Sequence, residues 1–394
     1  MRTASSSLLA FAAVLVSCTS EYDLTGERPD VDPGEVTECG FTGVSGTYIS
    51  SYDCNPVFTT TGEVHAADVG SVVFHTTEVL GHPFYQIWYV GFPEGGGYGT
   101  YSLGYAVSGD GTTWDTHPQN PLVASEGGNA WDRDIMDGVQ IVWDDSGSRY
   151  VASYQGARVG TDPTFDPSFF GLGILTSPDG VTWTKHPGNP VIDFTADPFA
   201  VEPRVCWPLS LTSSGGAFRS YIAASSPSYD PFSDPDCSDP IFLSDPNCNA
   251  PCELHTATAV DLAIWQTSQN ATMRADQWYE KRGVASAAIA ELDGTQYLFY
   301  ISFERWEQVG ADIISATGLH FKMATSTDGG LTWVKDPNNP LDVLGNVTPS
   351  EVRAVGAQTV GRRIHFWITD TYPDLGQAGV GYFILEPDLE TPHP

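Results

Sequence analysis

Three stretches decide the fold: GYAVSGDGTTWDTHPQNPLV (104–123), GILTSPDGVTWTKHPGNPVI (173–192) and FKMATSTDGGLTWVKDPNNPLDV (321–343). Each reads as an apolar strand, a Ser-x-Asp turn with glycine, a tryptophan, and Asn-Pro before another apolar residue. Trp114 and Trp183 are 69 residues apart, and Trp183 and Trp333 are 150 apart, which is two units of 75. A degenerate copy, DLAIWQTSQNAT (261–272), fills that gap, its spacing stretched by a cysteine-bearing insertion. A repeat of this period is the mark of a radial or stacked array of small sheets. The C-terminal segment supplies strands at 355–369 and 379–385 but no Asn-Pro piece. The N-terminal YISSYDCNPVF (48–58) holds one, at Asn55-Pro56. The sequence therefore predicts an all-β, five-bladed β-propeller over 39–388, in which an N-terminal strand completes the last blade.

The wider composition agrees. The chain has 394 residues, 41% of them hydrophobic and 12% aromatic, enough apolar material for a large core. Forty glycines and 28 prolines favour strands joined by turns over long helices. Seventeen basic residues against 49 acidic ones give a net charge of −32. A surface of that sign repels phosphate backbones and anionic lipid headgroups, which excludes nucleic acid as a partner.

Residues 1–17 read as an export signal: Arg2, a nine-residue apolar run from Leu8 to Val16, then LVSC (15–18). The run is too short to span a bilayer, which takes about 20 residues. The ending resembles the bacterial lipobox, which implies lipidation at Cys18 and a membrane contact only through that anchor. Thr19 in place of Asp favours the outer membrane. Residues 18–38 read as an acidic tether and 389–394 as a tail. Besides Cys18, Cys39, Cys54, Cys206, Cys237, Cys248 and Cys252 make an even set for an oxidising compartment. Cys39–Cys54 is the local pairing; the other four allow three pairings. Cys248, Cys252 and His255 also have zinc-like spacing.

The strands after each Asn-Pro piece start with charge. Asp68, Asp137, Glu202 and Glu351 follow their prolines by 12, 16, 12 and 11 residues, and Lys281-Arg282 opens the fourth. In a propeller these positions ring one mouth of the central channel, where converging carboxylates raise each other's pKa unless cations offset them. Arg204 and Arg353 sit two residues beyond Glu202 and Glu351. Asp110, Asp179 and Asp328 are expected to be turn formers. Loops at 92–102, 154–170, 224–254, 301–318 and 369–379 are expected on the same face as the mouth. They carry planar and aromatic groups such as Arg158 and Trp306, and Trp131 precedes the second blade.

The order Asp68, Asp137, Glu202 on successive blades resembles the five-bladed glycoside hydrolases of family 43, and less closely family 32. STDGGLTW (326–333) resembles the Asp box of sialidases. Glu202-Pro203-Arg204 is similar to the Glu-Asp-Pro-Arg of mannoside phosphorylases of family 130, and Arg133-Asp134 mimics the Arg-Asp-Pro of family 32, so Asp134 competes with Asp137. The resemblance implies cleavage of a carbohydrate by inversion, with Asp68 as general base, Glu202 as general acid and Asp137 tuning pKa and orienting the acid. Arg204, Arg282, Glu351, Arg353, Trp131, Arg158 and Trp306 are the expected substrate contacts. No cofactor is required. A structural Ca²⁺ is accommodated by the Asp-rich 230–245 loop or, by family resemblance, in the channel near His65 or His365. A monomer is expected. The other reading is a non-catalytic propeller that binds a glycan or a protein.

Overall fold

The computed structural model describes residues 39–59, 65–75, 84–92, 102–124, 130–133, 135–159, 167–193, 204–225, 251–308, 314–343, 354–372, 377–389 and 392–393. Two short strands come first, β1 (Phe41–Gly43) and β2 (Ile49–Tyr52). Blade 1 is β3 (His65–His75), β4 (Phe84–Phe92) and β5 (Ser102–Ser108), edged by β6 (Asp115–Thr116) and β7 (Val123–Ala124). Blade 2 repeats this as β8 (Ile135–Asp144), β9 (Arg149–Val159), β10 (Pro167–Ser177), β11 (Thr184–Lys185) and β12 (Ile192–Asp193). Blade 3 is β13 (Arg204–Ser214), β14 (Ala217–Ser225), β15 (Cys252–Ala259) and β16 (Gln266–Thr267). Blade 4 is β17 (Gly283–Leu292), β18 (Thr295–Phe303), a side hairpin β19 (Arg305–Gln308) and β20 (Ile314–Thr317), then β21 (His320–Ser326) and β22 (Val334–Lys335). Blade 5 is β23 (Ala354–Val360), β24 (Arg363–Tyr372) and β25 (Gln377–Leu385).

The N-terminal strand closes the last blade as the sequence predicts. Antiparallel β2 pairs with β25 at Ile49↔Leu385, Ser50↔Ile384 and Ser51↔Phe383. The inner strands pack in a closed cycle, β3 on β8, β8 on β13, β13 on β17, β17 on β23, and β23 on β3. One parallel pair, Cys252↔Gly283, also stitches blade 3 to blade 4.

Apolar alternation puts the core between blades. Blade 1 meets blade 2 through Trp88, Val139 and Tyr150. Blade 2 meets blade 3 through Ile174, Leu211 and Phe218. Tyr221, Leu254 and Tyr300 join blades 3 and 4. Phe299, Phe366 and Phe383 stack across blades 4 and 5. Val69, Trp367 and Tyr382 close the circuit from blade 5 to blade 1. Each large side chain fully buried there contributes about 1.5–3 kcal/mol.

The repeated motif works through two polar devices. Asp110 Oδ1 accepts the N–H groups of Thr112 and Thr113, both at 2.8 Å, and Asp179 Oδ1 accepts those of Val181 at 2.9 Å and Thr182 at 2.6 Å. The Thr332 hydroxyl and backbone hold Asp328 well below the usual carboxylate range, as suits a turn former rather than a proton donor. The turn then anchors the preceding blade: Trp88 of blade 1 donates to Gly180 O at 2.9 Å, and Trp367 of blade 5 donates to Gly111 O at 3.2 Å. Gly180 has φ +79°, and a Cβ there would lie 2.8 Å from the Trp88 ring.

The second device is the asparagine before each proline. Asn120 Oδ1 accepts the Tyr105 N–H at 3.1 Å and its Nδ2 donates to Tyr105 O at 2.9 Å. Asn189 does the same to Ile174, Asn339 to Met323 and Asn55 to Tyr382. A side-chain amide thus takes the place of a fourth-strand peptide. In the degenerate blade 3, Ser268 Oγ accepts the Thr256 N–H at 3.1 Å instead.

Three expected loops are shorter than the sequence implied. β9 and β10 continue to Val159 and from Pro167, β24 and β25 to Tyr372 and from Gln377, and residues 305–317 carry a hairpin. Cross-strand pairing extends where the polar residues had read as loop. Cys39 pairs with Cys54 and Cys206 with Cys252. Cys252 is therefore unavailable as a zinc thiolate. Cys237 and Cys248 lie outside the described residues, as does the acidic 230–245 loop. At the chain's far end His393 exchanges backbone bonds with Gly46 and Thr47.

Asn120→Ala removes two backbone bonds and one to the Tyr89 hydroxyl. It is expected to cost about 1–3 kcal/mol, read as a lower urea midpoint, whereas exposed Gln119→Ala leaves the midpoint within about 0.5 kcal/mol.

Candidate functional site

All five inner strands run the same way around the ring, so their starts share one end. There Asp68 is in register with Val90, Asp137 with Gln155, and Arg204 with Ser225. Gly283, next after Arg282, faces Phe303, and Ala354, next after Arg353, faces Thr369. For Asp68, Asp137, Arg204, Arg158 and Trp306 the description reaches the backbone and not the side chain. Arg158 lies on β9 opposite Phe169, and Trp306 on β19 opposite Ala316. Glu202, Glu351, Arg353, Asp134 and Cys18 lie outside the described residues.

Four of these strands slip register just past their starts, between Val69 and Ser71, Asp137 and Gln140, Val205 and Trp207, and Val284 and Ser286. Such a bulge reverses the in-out alternation and frees backbone groups from the ladder. The groups nearby bond across the seams. Val69 N–H donates to Thr369 Oγ1 at 2.9 Å, Ile141 N–H to Ser71 Oγ at 2.7 Å, Trp207 Nε1 to Val284 O at 3.0 Å, and Val355 N–H to Ser286 Oγ at 3.4 Å. At the remaining seam Gly138, with φ +57°, sits against Pro208. A girdle of inter-blade contacts therefore runs just beneath the mouth and holds the strand starts at fixed spacing.

The channel itself includes a cavity of about 1000 Å³. Its walls mix apolar residues such as Val72, Ile141 and Leu211 with the polar inner-strand residues Ser71, Gln140, Ser210 and Gln358. It continues to Asp145, Asp261 and Gly329, which belong to the turns of the opposite face. The described cavity is thus at the other end of the channel from the charged strand starts.

Two of the expected contacts have described side chains. Trp131 is half-buried, packs against Tyr154 at 5.7 Å and lies over Gly156, where a Cβ would come within 2.4 Å of its ring. One face of the indole is therefore spent on blade 2. Arg282 is 5% exposed, and its N–H donates to Phe303 O. It belongs to the wall of the mouth.

Behind Arg282 lies a knot of ionisable groups that sequence reading missed. Lys322, wholly buried on β21, donates to Ser302 Oγ and to His320 O at 2.8 Å. Loss of solvation drives its pKa well down, against the pull of Glu280 and Glu304. Glu280, also wholly buried, accepts the Tyr300 hydroxyl at 2.8 Å and Lys335 Nζ at 2.5 Å. In blade 2, buried Asp132 accepts Lys185 Nζ at 2.6 Å and the Tyr154 hydroxyl at 2.8 Å. Nothing local in the sequence marks these pairs, because their members come from segments far apart in the chain. Among the described residues no cluster of His, Cys, Asp and Glu has the makings of a metal site.

His365 is not placed to hold an ion in the channel. It lies in blade 5 between aromatic rings, with Nδ1 on the Tyr382 hydroxyl, and burial, helped by Arg363, pushes its pKa down to about 4. For His65 only the strand position, opposite Phe92, is described.

No protein-family model and no curated protein sequence matches the chain. Solved structures do match in shape. A β-fructofuranosidase of family 32 from Bombyx mori aligns with TM-score 0.54 at 14% identity, over 83% of this chain and 62% of its own. A glycosyl hydrolase from Bacteroides ovatus aligns with TM-score 0.53 at 14% identity, over 90% and 96% of the two chains. A sucrose-6-phosphate hydrolase from Lactobacillus gasseri gives 0.54 at 12% identity, over 84% and 61%. The chain spans about three-fifths of the Bombyx and Lactobacillus chains. At these identities the likeness is one of fold: this is the propeller that those glycoside hydrolases use.

His365 makes stability depend on pH. The unfolded imidazole binds a proton near pH 6.5 and the folded one only near 4, so the unfolded state holds more protons between them. Stability is expected to fall by up to about 3 kcal/mol as pH drops from 6.5 to 4. Urea titrations across that range should show a shallower pH slope for His365→Gln than for the unmodified protein.

Proposed function

We propose that this protein is a surface-anchored glycoside hydrolase acting on an external oligo- or polysaccharide by inversion. The observation that carries the reading is the gathering of five strand starts at one end of a rigid ring, with carboxylate-bearing starts on adjacent blades. The likeness in fold to glycoside hydrolases supports it.

Glycoside cleavage needs one protonated and one ionised carboxyl group across the scissile bond. Glu202, two residues before β13, serves as the acid: its proton goes to the leaving glycosidic oxygen as the bond to the anomeric carbon breaks. Asp68 serves as the base, taking a proton from the water whose oxygen attacks that carbon from the opposite side. Asp137 orients the acid and holds its pKa up. Arg204 and Arg353 offset the gathered negative charge, and Glu351, Arg158 and Trp306 contact sugar. Inversion requires a carboxyl separation of about 6.5–9.5 Å, against about 5–5.5 Å for retention. Lipid at Cys18 and the acidic 18–38 segment then hold the domain at the outer membrane, where soluble substrate reaches it.

Reducing-sugar release from a panel of plant and microbial glycans tests this. The unmodified domain is expected to turn over at least one of them, Glu202→Gln and Asp68→Asn to lose at least about 100-fold in kcat, and proton NMR to show the inverted anomer first. Glycan binding with no turnover in any variant would instead favour a non-catalytic binding propeller. Cys18→Ser is expected to move the expressed full chain from the membrane fraction to the soluble one.

A further inference from the structure

Trp278 stands out among the described side chains. It is 64% exposed, whereas the next two residues of its 3-10 turn, Tyr279 and Glu280, are 5% and 0% exposed. A large aromatic ring left in water is common when its segment is loose. This segment is not loose. Lys335 Nζ grips Asp276 Oδ1 at 2.6 Å and Glu280 Oε2 at 2.5 Å, and Tyr300 donates to Glu280 from inside blade 4. The Tyr279 carbonyl accepts the Ser302 hydroxyl.

Its surroundings are those of a polar-rimmed platform. The ring meets His320 edge-to-face at 5.3 Å. His320 Nε2 lies 2.6 Å from Glu304 Oε1. A carboxylate only accepts, so that nitrogen carries the proton, and Glu304, whose side chain is 37% exposed, keeps its other oxygen for an outside donor. Burial lowers the His320 pKa, against the pull of its hydrogen bond to Glu304. The position also fits. Ser302, next to last in β18, is in register with His320 at the start of β21, at the same end of the blade as the start of β17. Arg282 follows Trp278 by four positions, so their Cα atoms are at most about 14 Å apart.

We infer that Trp278, with the His320–Glu304 pair, is an outlying subsite for a neutral sugar unit of a chain whose other end occupies the mouth. Such a unit offers an apolar ring face to the indole and hydroxyl donors to the carboxylate. An anionic ligand would meet Glu304 and the −32 charge of the chain. The inference rests on the glycoside hydrolase reading for what occupies the mouth, but not for the sugar contact itself.

The test uses the full domain, Trp278→Ala and Trp278→Phe, with a disaccharide and the matching longer oligosaccharides of whichever panel glycan binds or is cleaved, and with thermal unfolding as the folding control. For the longer chains, Trp278→Ala is expected to raise KM, or the calorimetric Kd where there is no turnover, about 10-fold. The Phe variant is expected to fall in between, with kcat and the disaccharide values unchanged. Turnover by the unmodified protein with equal constants for all three proteins would overturn the subsite and leave the hydrolase standing. Binding without turnover, weakened by Trp278→Ala, would overturn the hydrolase and keep the sugar contact. A loss equal for short and long substrates, or no binding or turnover of any panel glycan, would also overturn the subsite.

Discussion

The pairing of β2 with β25 is the interaction on which the rest depends. Three residues of the N-terminal strand lie against Leu385, Ile384 and Phe383, and Asn55 adds a two-point amide contact to Tyr382. Without them the outer edge of blade 5 would be an open ladder, a site for unwanted strand pairing. The seam between the first and last blades would then be held only by side-chain packing and by isolated hydrogen bonds such as Val69 N–H to Thr369 and Trp367 to Gly111 O. With them, the ends of the chain are locked within one sheet. The inner strands can then press on one another around the full circle, and the channel acquires a fixed bore.

A fixed bore is what the proposed hydrolase chemistry requires of the mouth. Carboxyl groups that act on one bond must keep a separation set to within about an ångström. Here that constraint falls on backbone bulges and the girdle of cross-seam bonds beneath them, from Val69 and Thr369 around to Ser286 and Val355. The same logic appears further out in blade 4. Lys322, Glu280 and Lys335 are costly to bury, and a buried ion pair is weak evidence for stability in itself. Their effect is positional: together they hold the 276–282 segment, and with it Arg282 and Trp278, in one place.

The repeated turn shows how much one motif accomplishes when its neighbours are fixed. Asp110 and Asp179 satisfy their own loop's N–H groups, and the glycine that follows each presents its carbonyl to a tryptophan of the preceding blade. The turn is therefore a local fold signal and an inter-blade fastener at once. The asparagines before the prolines are similar, acting as one rung of a strand that is otherwise missing.

Much of this was legible in the sequence because it is local or periodic. The Ser-x-Asp turn, the Asn-Pro piece and apolar alternation each lie within a few residues, so their repetition predicts five sheets, and the missing piece at one end predicts closure by the other. The direction of the inner strands follows, and with it the placing of the strand positions of Asp68 and Asp137 at one end of the ring. The amide role of Asn120, the Cys206–Cys252 pairing, the continuation of β9 and β24 through presumed loops, and the Lys322–Glu280 knot were not legible. Each joins residues from separate strands, where only packing in three dimensions sets the distance. The exposure of Trp278 belongs with them: a tryptophan in WYE (278–280) reads as core as readily as surface. The sequence alone thus determined the repeat, its closure and the charge at the strand starts. The tertiary structure decided which polar groups meet, because burial and hydrogen-bond satisfaction are properties of neighbours in space.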